Sequence, residues 1–256
     1  MRCRTLARAG RAVPLWRRWC FAGGIVALVG ADLLPTDERF SVHMAQHLLI
    51  ADVAALLLVL GVTGPVMAPV LRLGGLRWLR VLSHPVVALA AWALNLYVWH
   101  LPALYEGAVD SPLVHGLEHA CFLFFAFNFW LALLGPLPKP AWFNNLARLG
   151  YIVIARLTGA VLGNVFLWAE TIFYDDAYPS LSDQGLAGSL MMVEESVLTI
   201  ALFCWLFLRA ARQSQESDEL LELARAHGVP LDEQRAKRAV AAGEGDRLRQ
   251  RLTEQR

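Results

Sequence analysis

Charged residues are scarce in this chain, and its cysteines form no pattern. Only 18% of the 256 residues are charged, whereas 57% are hydrophobic, which is less charge than soluble domains of this length usually carry. The four cysteines are far apart, and none belongs to a Cys-x-x-Cys pair: Cys3, Cys20, Cys121 and Cys204. This spacing argues against a disulfide framework and against a thiolate metal site. With a net charge of +1, the chain has no basic excess that would predict a nucleic-acid partner.

What the chain has instead is long apolar runs. A helix needs roughly 17–25 apolar residues to cross about 30 Å of hydrocarbon. Six runs of about this length occur, and proline and glycine residues separate them. They cover residues 19–34, 41–60, 85–101, 113–134, 150–169 and 186–208. We therefore predict an all-α fold, a polytopic membrane helical bundle with about six transmembrane helices.

The distribution of lysine and arginine predicts how these helices are oriented. Basic residues lie before the first run, between the second and third, between the fourth and fifth, and after the sixth. The connections 35–40, 102–112 and 170–185 contain a single basic residue, Arg39. We therefore expect both termini to be cytoplasmic and these three connections to lie outside. The first run is the weakest because it is short and contains Asp32, and a signal peptide cleaved after Ala31 is the alternative.

Three regions follow from this topology. Residues 1–18 form a basic cytoplasmic N-terminus, residues 19–208 a six-helix transmembrane domain, and residues 209–256 a polar cytoplasmic tail. Within the tail, Ser217-Asp218-Glu219 and the apolar spacing after it predict a capped amphipathic helix. Gly228-Val229-Pro230 should end that helix, and a second should begin near Asp232. The tail is therefore expected to be short and helical.

Five of the seven histidines lie where the predicted helices reach the outer side. His43 and His47 are four residues apart in the opening turns of the second helix, so they share one helical face. His115 and His119 repeat this spacing in the fourth helix, and His100 ends the third. A rise of about 1.5 Å per residue places all five at a similar depth. The other two lie on the cytoplasmic side, one at the start of the third helix and one in the tail: His84 and His227.

Histidines at this depth predict a metal site. Polar side chains inside a bilayer are costly, so they usually face the bundle interior and serve a function. A histidine pair with this spacing is a common half-site for a transition metal, and imidazole suits copper, zinc and iron. Interfacial hydrogen bonding is the alternative for either pair. Three methionines are candidate further ligands, whose thioethers would favour Cu(I), or they simply fill the core: Met44, Met191 and Met192.

A second polar group is expected deeper in the membrane. Arg156, Glu194 and Glu195 lie within the fifth and sixth predicted helices, where an arginine–carboxylate pair is the cheapest way to hold charges in lipid. Asp52 lies midway along the second helix, about 140° or more around it from His43 and His47 at 100° per residue. We therefore expect Asp52 to serve something other than the histidine site. The four residues form either a structural network or part of a proton or ion path.

Three segments of the sequence resemble a known family. Residues 40–49 match the signature F-S-x-H-M-x-Q-H-x-L of the CtaG-type cytochrome c oxidase assembly proteins, the kind associated with caa-type oxidases. Residues 99–105 and 111–119 resemble the second signature of that family, and residues 183–188 with Met191-Met192 resemble the third. The third signature commonly reads D-Q-x-x-G-G followed by M-W, and this chain has D-Q-G-L-A-G and Met-Met. The resemblance covers about residues 19–210.

The resemblance implies a function and a metal. Members of the family are integral membrane factors needed to mature the copper-containing oxidase, which implies a multi-pass protein of the bacterial inner membrane that handles copper on the periplasmic side. It implies membrane lipid and oxidase subunits as partners, with a periplasmic copper chaperone as a further candidate, and a role that is not enzymatic. The expected ligands are the five outer histidines.

Three other functions are alternatives, and the histidines fit the first two better than the third. A copper transporter would use Asp52, Arg156, Glu194 and Glu195 as its path. A haem-binding electron carrier would place histidines as axial ligands between helices. A membrane di-iron oxidase needs more ligands than five non-adjacent histidines supply.

Overall fold

The structure, a computed structural model, describes residues 13–35, 39–67, 81–241 and 243–254. It contains helices and no strand within these ranges, so the predicted all-α class is confirmed there. Most of the predicted basic N-terminus, residues 1–12, and most of the basic connection after the second run, residues 68–80, lie outside the described residues. By their contacts, the described residues form two compact units, one ending at Thr199 and one beginning at Ile200.

The described residues form helices with the following bounds. They are α1 (Leu15–Asp32), α2 (Phe40–Gly61), α3 (Pro85–Trp99), α4 (Pro102–Asp110), α5 (Pro112–Leu134), α6 (Asn145–Trp168), α7 (Leu181–Ala226), α8 (Glu233–Ala241) and α9 (Gly245–Glu254). Proline occupies the first position of α3, α4 and α5, where its missing N–H costs nothing and its fixed φ suits the helix.

Four described helices are long and apolar enough to cross a membrane: α2, α5, α6 and α7. The pair α3 and α4 makes a fifth if both belong to one span, and the two are bent by 71° at His100 and Leu101. The predicted number of six is therefore not confirmed. Helix α1 has only 18 residues and carries Arg17, Arg18 and Asp32, so it falls short of the apolar stretch that a span requires.

Two segment boundaries differ from the sequence-based expectation. Residues 102–112 were expected to be a connection, but Pro102–Asp110 forms α4, because Pro102 can begin a helix and the single glycine within it, Gly107, does not interrupt it. The sixth run was expected to end near residue 208, but α7 continues to Ala226, because no proline or glycine interrupts it. Gly228, at a φ of +66°, follows its end, as expected of a residue that adopts the left-handed conformation there.

Helix α1 packs closely against the second half of α2. A Cβ at Gly61 would lie 2.6 Å from the Cβ of Phe21 and 2.9 Å from the carbonyl oxygen of Arg17, so only glycine permits this approach. The Arg17 guanidinium donates to the carbonyls of Leu60 and Val62, each at 3.0 Å, and thereby satisfies groups that the end of α2 leaves unpaired. The contact fixes α2, which carries the first histidine pair.

The second unit has its own apolar core. Leucines of the C-terminal part of α7 and of α9 pack with Val240 of α8: Leu220, Leu248 and Leu252. Arg249 donates to the carboxylate of Glu219 at 2.7 Å. Residues 217–224, predicted as a separate helix, belong to α7, and the second predicted tail helix begins at Glu233.

Lys139, in the connection between α5 and α6, should titrate far below an ordinary lysine. Its ammonium group donates to the carbonyl of Leu131 at 2.6 Å, near the end of α5. Burial, and then the charge of Arg148, lowers the pKa of Lys139 from 10.5 to about 8. The chain has one other lysine, the exposed Lys237, whose pKa is raised by Glu233. After reductive ¹³C-dimethylation, NMR titration should give a midpoint for Lys139 at least one unit below that of Lys237, and equal midpoints would contradict the buried geometry.

Candidate metal centre

The first turns of α2 and α5 meet at one end of the first unit, and each brings a histidine pair. Helix α2 begins at Phe40, and the Asp183 carboxylate accepts from the backbone N–H of Ser41 at 3.3 Å and from its hydroxyl at 2.5 Å. Asp183 therefore fixes the start of α2. Its negative charge also interacts favourably with the N-terminal end of the helix dipole. His43 and His47 are almost fully buried, at 1% and 4% exposure.

These histidines form a compact cluster with one carboxylate. Ligand atoms of five residues all lie within 4.8 Å of one another, and we call this set the histidine–glutamate cluster: His43, His47, His115, Glu118 and His119. The Nε2 atoms of His43 and His47 are 2.9 Å apart. Glu118 Oε2 lies 3.7 Å from Nε2 of His43 and 3.6 Å from that of His47. The structure thus brings together four of the five predicted histidines and adds a carboxylate.

Glu118 was not among the predicted site residues. It is completely buried, at 0% exposure, and neither of its carboxylate oxygens has a hydrogen-bond partner among the described residues. The signal was present in the sequence, since His115, Glu118 and His119 occupy positions i, i+3 and i+4 of a helix and therefore share one face. The spacing of the histidines alone does not identify Glu118.

The cluster fits a transition-metal ion. Bond lengths of about 2.0–2.2 Å to imidazole nitrogen and carboxylate oxygen put opposite ligands roughly 4 Å apart, so separations within 4.8 Å require only small movements. Imidazoles with one carboxylate suit copper and zinc. A buried carboxylate without a hydrogen bond is expensive, and a cation between it and the imidazoles would remove that cost.

Groups around the cluster orient its ligands. Tyr178 contacts Nδ1 of His43 through its hydroxyl at 3.3 Å, which leaves Nε2 directed at the cluster, as outer hydrogen bonds commonly do for metal-binding histidines. Tyr105 and Tyr174 stack with ring centroids 4.0 Å apart, next to Phe40. Burial raises the pKa of Tyr174 above its ordinary value, so its hydroxyl stays protonated and donates to the carbonyl of His100 at 2.7 Å.

His100 lies beside the histidine–glutamate cluster but is not part of it. Its ring centroid is 6.3 Å from that of His47, and its Nε2 lies 3.4 Å from Sδ of Met44. Met191 is buried on α7, at 4% exposure, whereas the sulfur of Met192 accepts from the Asn164 amide at 3.2 Å. His100 is therefore not among the five residues of the cluster, and Met44, Met191 and Met192 stay predicted ligands.

Asp183 and Gln184 have structural contacts. Besides the contact of Asp183 with Ser41, Gln184 accepts from the backbone N–H of Phe173 at 2.9 Å and donates to the carbonyl of Thr171 at 3.0 Å. Gln46 donates to the carbonyl of Ala31 at 3.0 Å. These polar residues of the sequence signatures tie the segments that surround the cluster to one another.

The four predicted intramembrane charges lie together. Arg156 is 3.4 Å from Asp52, 3.4 Å from Glu194 and 3.0 Å from Glu195. We call these four residues the Arg156 cluster. Its one cation faces three carboxyl groups, so it holds more acid than base.

Asp52 contacts Arg156 and is not among the five residues of the histidine–glutamate cluster. A small cavity of about 40 Å³ is lined by both His47 and Asp52, together with Glu195. Residues Leu49–Ala54 form a π-helix. Its hydrogen bonds join residues five apart, so the rotation per residue there is smaller than the 100° of an α-helix. Trp130 donates to the carbonyl of Ala51 at 2.9 Å within this π-turn.

Comparisons with known proteins agree with the sequence signatures. The family described as cytochrome c oxidase caa3 assembly factor (Caa3_CtaG) matches residues 1–213. Three uncharacterized mycobacterial proteins are each 26% identical to this chain: one of Mycobacterium leprae over 80% of it, and ones of Mycobacterium bovis and Mycobacterium tuberculosis over 82%. The aligned part spans 36% of each relative's length. No solved structure matches the chain.

Proposed function

The chain belongs to the cytochrome c oxidase caa3 assembly factor family, and from that premise we propose that it binds copper at the histidine–glutamate cluster and assists its delivery to the oxidase. The observation that carries the proposal is Glu118. A fully buried carboxylate with no hydrogen-bond partner among the described residues, surrounded by imidazoles, is explained by a cation that binds there. Copper is the cargo in this proposal, because it is the metal that the matured oxidase needs.

The proposed topology places the cluster on the periplasmic side of the bacterial inner membrane. The charge distribution of the connections supports cytoplasmic termini, and the cluster lies at the opposite end, where α2 and α5 begin. Oxidase subunits are the proposed recipients of the metal, and a periplasmic copper chaperone is the proposed donor. In this role the protein holds and releases copper and catalyses no reaction.

Copper transport is a second candidate, favoured by one observation. The cavity that begins at His47 continues to Asp52 and Glu195, which are deep in the bundle. Arg156 contacts both acids, and its fixed positive charge opposes the passage of a cation. Copper uptake into proteoliposomes should therefore be no faster with the protein than with lipid alone, and uptake that depends on Asp52 would favour transport instead.

Copper content tests the proposed site directly. Protein purified in detergent and loaded with Cu(II) should retain about one ion per chain in the histidine–glutamate cluster, and the variant H43A/H47A/H115A/H119A should retain none there, since it lacks four of five ligands. The double variant H84A/H227A is the matched control, because both its histidines lie outside the cluster. An absorbance scan of the same samples tests the haem alternative through a Soret band. Equal copper content in the quadruple variant and the control would overturn the proposed site.

A further inference from the structure

His100 and Met44 form an arrangement that the histidine–glutamate cluster does not explain. Nδ1 of His100 lies 2.7 Å from the carbonyl oxygen of Leu96, and a carbonyl only accepts, so Nδ1 carries the proton. In the neutral ring the lone pair is then on Nε2, which faces the sulfur of Met44 at 3.4 Å. Both residues are buried, at 9% and 2% exposure. A soft thioether sulfur and an imidazole nitrogen thus face one another away from solvent.

Space adjoins these donor atoms. The cavity of about 40 Å³ is lined by Met44, His100, His47 and Met191, and it exceeds the roughly 10–15 Å³ that one water needs. Nδ1 of His47 is buried without a hydrogen-bond partner among the described residues, while Nε2 of the same ring faces His43 and Glu118. The His47 ring therefore offers one nitrogen to the histidine–glutamate cluster and has a second nitrogen that no described residue satisfies.

We propose a second metal site, formed by Met44 Sδ and His100 Nε2 at this cavity, that binds a soft monovalent ion of the Cu(I) class. His47, on the wall of the same cavity, completes it through Nδ1, in the tautomer whose Nε2 carries the proton. Thioether and imidazole donors select Cu(I) over zinc, whereas the carboxylate of the histidine–glutamate cluster suits a harder divalent ion. The inference rests on the proposed function, and it divides the single five-histidine site expected from the sequence into two sites of different chemistry.

The two sites should be separable by substitution. In Met44→Leu the thioether is lost but the side-chain volume is nearly kept, so the fold should tolerate it. In the triple variant H115A/E118Q/H119A the histidine–glutamate cluster loses three ligands, while Met44, His100 and His47 remain. Met192→Leu is the matched control, because Met192 contacts Asn164 and is not part of the cavity wall.

The test is an anaerobic titration of the full-length protein with Cu(I) against a chromophoric competitor, with X-ray absorption to detect sulfur bound to copper. The triple variant and Met192→Leu should bind one Cu(I) with a sulfur neighbour. Met44→Leu should lose the sulfur signal and weaken Cu(I) binding at least about 10-fold, since even the outer partners of metal ligands are worth 10–100-fold. Met44→Leu should still bind Cu(II) at the histidine–glutamate cluster.

The outcomes distinguish this inference from the proposed function. If Met44→Leu keeps the sulfur signal and its Cu(I) affinity, the second site is overturned while Cu(II) binding to the cluster stands. If the triple variant binds Cu(I) with sulfur and wild-type protein binds no Cu(II), the second site stands and the proposed cluster site fails. Absence of Cu(I) binding in the triple variant, with its Tm unchanged, also overturns the second site.

Discussion

Glu118→Gln should abolish most of the stabilisation that copper confers on this protein. At a free copper concentration of 100 times the Kd, a bound ligand stabilises the folded state by about 2.7 kcal/mol. Residues that only hydrogen-bond to a metal ligand contribute up to about 100-fold to metal affinity, so a ligand itself should contribute at least that much. A roughly 100-fold loss of affinity would reduce the stabilisation to roughly 0.4 kcal/mol by the same relation. The measurement is thermal unfolding in detergent with and without Cu(II), and the copper-induced rise in Tm is the quantity compared.

Without copper, Glu118→Gln should not lower the stability of the protein. Glutamine has nearly the shape of glutamate, and it removes a buried carboxylate whose oxygens accept no hydrogen bond among the described residues, so the metal-free variant should be at least as stable as wild type. Glu222→Gln, the same change at an exposed position of α7, should leave both Tm values unchanged. If Glu118→Gln lowered the Tm equally with and without copper, Glu118 would have a structural role and the metal proposal would lose its main support.

The contrast between His43 and Glu118 shows what spacing in the sequence can and cannot predict. Repeats of one residue type at i and i+4 placed two histidines on one face of each helix, and the structure brings the two faces together. Glu118 shares that face by the same rule. However, acidic residues are also common near the start of a helix, where their charge interacts favourably with the helix dipole. Only burial at 0% exposure distinguishes a ligand from a charge that favours the helix terminus.

Two features of the site could not be placed from the sequence: the position of His100 and the local winding of α2. Depth along the membrane normal follows from residue count, but the direction in which a helix end points follows from packing, and the chain bends by 71° next to His100. The π-helix at residues 49–54 could not be predicted either, because the sequence has no proline or glycine to mark it there. The all-helical fold was predictable because apolar runs of sufficient length require no knowledge of packing.

Arg156→Ala should be the most destabilising single substitution in the first unit. It would leave Asp52, Glu195 and the partly buried Glu194 without their cation, and removing one partner of a buried ion pair costs about 3–5 kcal/mol. Asp52 and Glu195 are 7% and 8% exposed, so water compensates their charges poorly. We expect a large fall in Tm in detergent and a lower yield of folded protein, whereas Arg225→Ala, at an exposed position of α7, should change the free energy of unfolding by no more than about 0.5 kcal/mol.

Neutralising the whole Arg156 cluster distinguishes charge imbalance from lost packing. The variant R156Q/D52N/E194Q/E195Q retains similar side-chain shapes and carries no buried charge, and replacing a complete buried ion cluster is often neutral or stabilising. It should therefore recover more than half of the Tm that Arg156→Ala loses. A quadruple variant as unstable as Arg156→Ala would mean that the guanidinium acts through packing, for example against the Trp130 ring at 5.7 Å. Recovery of stability would show that Arg156 stabilises the protein through its charge, which compensates the three carboxyl groups around it.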